Sequence, residues 1–123
     1  IQAARLGRMD QAYQFYLRTS RLDLDDYNRE VEEGLHITSM AGTWMSIVEG
    51  FGGMRVLGDK LHFTPRIPKQ WKSYSFKINF RNRILKVTVS PERTSFHLEA
   101  REEMSIRVNG ERVVLPPNRE IHV

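Results

Sequence analysis

The chain contains no cysteine, which excludes disulfide frameworks and thiolate zinc sites. No apolar run approaches the roughly 18 residues that a membrane-spanning helix needs. No opening succession of basic, apolar and small segments marks a secretory signal. These absences imply a soluble, cytoplasmic protein without a membrane partner. An initiator methionine is also missing: the sequence starts at Ile1, inside an amphipathic pattern, and reads as the C-terminal part of a longer polypeptide. There is no Ser-His-Asp order, no Gly-rich phosphate loop and no pair of carboxylates with evident acid and base roles. His62, His97 and His122 have no carboxylate or histidine at ligand spacing, so no metal site is expected.

Lysine is absent from the first 52 residues, which carry five Arg against eight acids, a balance of −3. Residues 53–123 carry fourteen Lys plus Arg against seven acids, a balance of +7, and the two together give the net +4. The change of sign places a boundary near Gly53. In the second half the basic residues alternate with apolar ones, as Lys77 and Arg81 do around Phe76, Ile78 and Phe80, which is the pattern of a solvated sheet face. Clustered basic stretches with interleaved aromatics are missing, so no nucleic-acid partner is expected.

In the first half the period is helical. Leu6, Met9, Tyr13, Tyr16 and Leu17 predict an amphipathic helix over residues 2–19, with Gly7 a mild weakness. Nothing repeats it at a period of about 34 residues, which argues against a helical solenoid. Residues 20–35 have no period and read as a long ordered loop; its Asp23, Asp25 and Asp26 lack the glycine and distal glutamate of a calcium loop. Met40, Trp44, Ile47, Val48 and Phe51 then form one helical stripe, which predicts a helix with Trp44 in the core and Glu49 on the opposite side. Thr38 and Ser39 stand where an N-cap belongs, and Gly50, Gly52 and Gly53 where a helix ends. With His36 beside two hydroxyls and free backbone amides, this helix start is a coherent seat for an anion. On the residues alone, His36 reads equally well as a structural hydrogen-bonding residue.

Beyond Gly53 the period becomes two. Leu61 and Phe63, then Tyr74 to Phe80, then Leu85 to Val89 alternate, with a hairpin turn at Arg81-Asn82-Arg83. Phe96 and Leu98 form another strand, and Met104, Ile106 and Val108 run into the Asn109-Gly110 hairpin and on to Val113 and Leu115, ended by Pro116-Pro117. Five to seven short antiparallel strands predict a small sandwich or jelly roll. Trp71 could stack on a sugar ring.

Taken in order, Arg21-Leu-Asp23-Leu-Asp25-Asp26, Glu33-Gly-Leu-His36-Ile-Thr-Ser-Met-Ala-Gly42-Thr-Trp44, Gly50-Phe51-Gly-Gly53, Leu61-His-Phe-Thr-Pro65, Pro68 and Trp71 resemble the C-terminal end of glycoside hydrolase family 65. Its members include inverting α-glucosyl disaccharide phosphorylases of the maltose, trehalose and kojibiose type. The resemblance covers nearly the whole chain up to about Val89. It implies an α+β fragment: residues 1–53 as the last helices and loops of an (α/α)6 catalytic barrel, and residues 54–123 as a jelly-roll-like antiparallel β-sandwich. It further implies an α-linked glucose disaccharide as substrate, inorganic phosphate as co-substrate without another cofactor, and the remainder of the barrel as partner, with a homodimer common in the family. His36 is the first phosphate-binding residue implied, followed by Thr38, Ser39 and Ser20. The general-acid glutamate would lie upstream, leaving these residues inactive alone. Two further readings stay open: a hydrolase of the same family, and a non-catalytic carbohydrate-binding or interaction module.

Overall fold

A computed structural model of the protein describes residues 1–22, 25 and 37–123. Three helical segments precede eight strands among these residues.

The helix expected over residues 2–19 is two helices. Helix α1 (Gln2–Arg5) stops at Leu6, and Gly7 takes a φ of 74°. The Gly7 N–H donates to the Ala4 carbonyl (3.0 Å) and the Arg8 N–H to the Ala3 carbonyl (2.9 Å), a Schellman closure. Gly7 therefore terminates a helix, because a left-handed residue with no Cβ satisfies two carbonyls that continuation would have paired otherwise. Helix α2 (Met9–Arg21) then runs into the segment read as loop, ending with Arg21 paired to Asp25 at 2.8 Å. The rest of that expected loop, with Asp23 and Asp26, lies outside the described residues.

Helix α3 (Ile37–Met45) continues into a π-helical turn over Ser46–Phe51. The Gly52 N–H reaches back five residues to the Ile47 carbonyl at 2.7 Å. The stripe from Met40 to Phe51 is buried only at its far end. Val48 and Phe51 are almost fully buried, but Met40 is 56% and Trp44 50% exposed, so Trp44 is not a core residue here. The reason is the face with which α3 meets α2. Ser39, Gly42 and Ser46 form a small-residue row at helical spacing; a Cβ on Gly42 would lie 3.2 Å from the Thr19 methyl group, and the Ser39 hydroxyl donates to the Thr19 carbonyl at 2.6 Å. Small side chains permit that close approach, and it turns the large apolar row outward.

The strands make two sheets of four, ordered β1-β2-β6-β7 and β3-β4-β5-β8. The first holds β1 (Arg55–Leu57), β2 (Lys60–Phe63), β6 (Met104–Val108) and β7 (Glu111–Leu115). The second holds β3 (Tyr74–Phe80), β4 (Arg83–Val89), β5 (Thr94–Glu99) and β8 (Glu120–His122). Alternation works as expected in β3, where Phe76 and Ile78 point inward and Ser75, Lys77 and Asn79 outward. Inner residues of both sheets meet in one core, with the Phe63 and Phe96 rings edge-on at 5.4 Å across the gap. Both hairpin turns take positive φ at two successive residues, Arg81 and Asn82 (52° and 60°) and Asn109 and Gly110 (52° and 85°), the geometry that matches strand twist.

Two features depart from the expected all-antiparallel sandwich. Strands β2 and β6 pair in parallel, Phe63 opposite Val108, because the β3–β4–β5 meander of the other sheet intervenes between them. Strands β1 and β8 carry no signal in the sequence: each is three residues long, lies at a sheet edge and contains no buried residue.

An aromatic seam joins helices and sandwich. Trp71 lies 5.1 Å from both Tyr16 and Phe51, 5.7 Å from Tyr74 and 6.0 Å from Tyr13, in edge-on contacts. Gly53 allows the chain to pass from one part to the other: its φ is 62°, and a Cβ would sit 2.4 Å from the Thr64 carbonyl oxygen.

Candidate functional site

Of the four residues expected to bind an anion, three are described. Thr38 and Ser39 lie within the first turn of α3, not ahead of it as a cap. Thr38 is exposed. The Ser39 proton is committed to the Thr19 carbonyl, and the Ser20 hydroxyl donates to the Leu17 carbonyl at 3.2 Å. The Ser39 bond brings the start of α3 against the end of α2, one residue from Ser20, so the fold gathers these three hydroxyl residues at one end of the helix pair. Thr38 is the one whose hydroxyl makes no side-chain hydrogen bond among the described residues. His36, immediately before α3, lies outside the described residues.

The first turn of an α-helix directs N–H groups and a partial positive charge outward, and the exposed Thr38 stands beside it with its hydroxyl uncommitted among the described residues. Among the described residues no three His, Asp or Glu are grouped so as to hold a metal ion. His122 is engaged structurally, its Nδ1 2.7 Å from the Ser95 Oγ. Trp71, considered as a sugar platform, is occupied by the aromatic seam. Within that seam the Tyr74 hydroxyl donates to the Arg66 carbonyl at 2.7 Å. Burial raises the Tyr74 phenol well above its ordinary value, against the smaller opposing effect of the hydrogen bond to the Arg66 backbone. Neither α3's small-residue row nor this seam stands out in the sequence: the row contains no large apolar residue, and the seam joins residues of the helical half to Trp71 and Tyr74 of the sandwich half.

Residues 54–115 match the family described as glycosyl hydrolase family 65, C-terminal domain, and residues 1–45 match the family 65 central catalytic domain. The chain belongs to glycosyl hydrolase family 65. It is 51% identical to a maltose phosphorylase of Bacillus subtilis (strain 168), over 94% of this chain and 15% of that protein. It is 43% identical to an α,α-trehalose phosphorylase of Thermoanaerobacter brockii over the same shares. Among solved structures it resembles a human-microbiome protein provisionally designated a kojibiose phosphorylase, with TM-score 0.90, 39% identity, and coverage of 98% of this chain and 18% of that one. The chain thus spans about 15% of the length of these curated family 65 relatives. Its helices and two sheets fit the end of the family's helical barrel followed by the family's C-terminal β-sandwich. Among the described residues no helix is long and apolar enough to cross a membrane.

Proposed function

We propose that the chain is the C-terminal part of an inverting α-glucosyl disaccharide phosphorylase, with residues 1–53 completing the catalytic barrel and residues 54–123 forming the accessory sandwich. The observation that carries this reading is the 51% identity to a maltose phosphorylase across 94% of the chain. In the proposed reaction a carboxylic acid elsewhere in the barrel protonates the glycosidic oxygen. Phosphate attacks the anomeric carbon from the opposite face, so an α-glucoside yields β-glucose 1-phosphate and the released sugar. The role of this segment is to hold the phosphate. His36 supplies a cationic or neutral donor, Thr38 an exposed hydroxyl, and the first turn of α3 its amides; Ser39 and Ser20 are proposed as supporting hydroxyls, available if they release their present carbonyl partners. Inorganic phosphate is the co-substrate and no further cofactor is invoked. Without the general acid this segment is inactive.

The test uses the full-length parent polypeptide with a panel of α-linked glucose disaccharides, with and without phosphate, and measures glucose 1-phosphate. Phosphate-dependent product is expected. His36→Ala, checked for folding, is expected to lower kcat/KM for phosphate roughly 10- to 100-fold, the equivalent of a hydrogen bond to a charged group. Free glucose formed regardless of phosphate would overturn the reading and assign the parent as a hydrolase.

A further inference from the structure

At the opposite end of α3 from the hydroxyl cluster, an open cleft of about 150 Å³ is lined by Arg5, Gly50, Gly53, Arg55, Thr64 and Arg66. That is room for a molecule of about benzene size. Three of its six lining residues are arginines, one is a hydroxyl, and none is an acid. The arginines come from three different places: Arg5 from the end of α1, Arg55 from the start of β1, and Arg66 from the chain leaving β2. Among the described residues none of the three takes part in an ion pair. A second charged cleft, on the outer face of the second sheet, contains Lys77 and Lys86 but also its own carboxylates, Glu99 and Glu120. Of these two clefts, the arginine cleft is the one whose lining residues include no counter-charge.

The cleft is also built rigidly. The Arg66 N–H donates to the Phe51 carbonyl at 2.7 Å, and its own carbonyl accepts from the Tyr74 hydroxyl at 2.7 Å. Its guanidinium donates through Nη1 to the Ala4 carbonyl, which fixes the fork while leaving further N–H groups to face a ligand. Gly50 and Gly53 keep side chains out of the wall, and at Gly53 none could fit. Three guanidiniums about one cleft repel one another, whereas an oxyanion among them accepts several charge-assisted, partly bidentate hydrogen bonds.

We infer that this cleft is a second oxyanion site, distinct from the hydroxyl cluster, which takes inorganic phosphate and ties α1 to the sandwich. The inference does not rest on the phosphorylase reading. It is tested on the full-length parent by equilibrium dialysis with labelled inorganic phosphate, for the wild type, the Arg5→Gln/Arg55→Gln double variant and His36→Ala. Arg5 and Arg55 are exposed, so the double variant is expected to fold. The wild type should bind one phosphate more per chain than the double variant, and its melting temperature should rise with phosphate concentration by more than the variant's. The double variant should keep the wild-type KM for phosphate in any phosphorolysis assay. Equal stoichiometry in wild type and double variant would overturn the inference, whether the cleft is empty or is filled by a carboxylate of the parent chain. Loss of the extra phosphate only in His36→Ala would overturn it while supporting the proposed function. Loss only in the double variant would support it while counting against the role given to His36.

Discussion

Phe51→Ala tests whether the aromatic seam holds helices and sandwich together. Phe51 is 1% exposed and its ring lies 5.1 Å from Trp71, 6.0 Å from Tyr16 and 6.5 Å from Tyr74. Removing a buried phenyl ring costs about 1.5–3 kcal/mol in transfer from water. The cavity left behind brings the usual total for Phe→Ala in a core to about 3–5 kcal/mol. Against a domain stability of roughly 5–15 kcal/mol, that is a large fraction. The measurement is equilibrium urea unfolding followed by circular dichroism and tryptophan fluorescence, with Phe96→Ala as a comparator inside the sandwich core. A double-mutant cycle with Trp71→Ala should give a coupling of about 0.5–1.5 kcal/mol, the range for an edge-on aromatic pair. If Phe51→Ala costs under about 1 kcal/mol while Phe96→Ala shows its full cost, the seam does not join the two parts. A coupling of zero with Trp71 would equally refute the argument from ring contacts.

Three other perturbations follow from single contacts. Gly53→Ala should destabilise by more than the roughly 1–2 kcal/mol of a left-handed non-glycine residue, because its Cβ would also meet the Thr64 carbonyl at 2.4 Å; Gly110→Ala, with nothing within 4 Å, should cost only the backbone part, and equal losses in the two variants would refute this. The raised Tyr74 pKa makes stability pH-dependent: its contribution is fully present below the ordinary tyrosine value of about 10 and is lost as pH rises through the higher folded value, so Tyr74→Phe should flatten the alkaline limb of unfolding free energy against pH. Ser39→Ala should cost about 0.5–1.5 kcal/mol by removing the bond to the Thr19 carbonyl, and an unchanged urea midpoint would show that this bond does not hold α3 on α2.

Much of the sandwich is legible in the sequence because its long strands are half-buried. Tyr74 to Phe80 and Arg83 to Val89 alternate without interruption, and Asn109-Gly110 marks its turn chemically. Strands β1 and β8 were not legible, since β1 is exposed at all three positions and β8 turns only the half-buried Ile121 toward the core, too little to make an alternating row. The helices misled for a different reason. Periodicity follows large apolar residues and so favoured Met40 and Trp44, while α3 meets α2 through Ser39, Gly42 and Ser46, which a hydrophobic pattern does not weight. Helix propensity marks Gly7 only as a weak helix former, whereas its effect comes from the two backbone bonds that a left-handed residue completes. At the hydroxyl cluster the sequence assembled Thr38 and Ser39 by adjacency and Ser20 by family resemblance. The proximity of Ser20 to them depends on the α2–α3 crossing. Arg5, Arg55 and Arg66 are too far apart along the chain for any spacing rule to join them.

The parallel pairing of β2 with β6 also sets an order of assembly. Strands β3, β4 and β5 are successive antiparallel neighbours, so each can zip onto the last across a short loop. Strand β2 gains its inner partner only after that entire meander and the start of β6 have been threaded past it. Because loop-closure entropy must be met before such a distant contact forms, the β3–β5 meander is the expected nucleus and the first sheet the late, rate-setting half. A chain emerging from the ribosome would thus hold His62 and Phe63 without their β6 partners Arg107 and Val108 until that strand had been made.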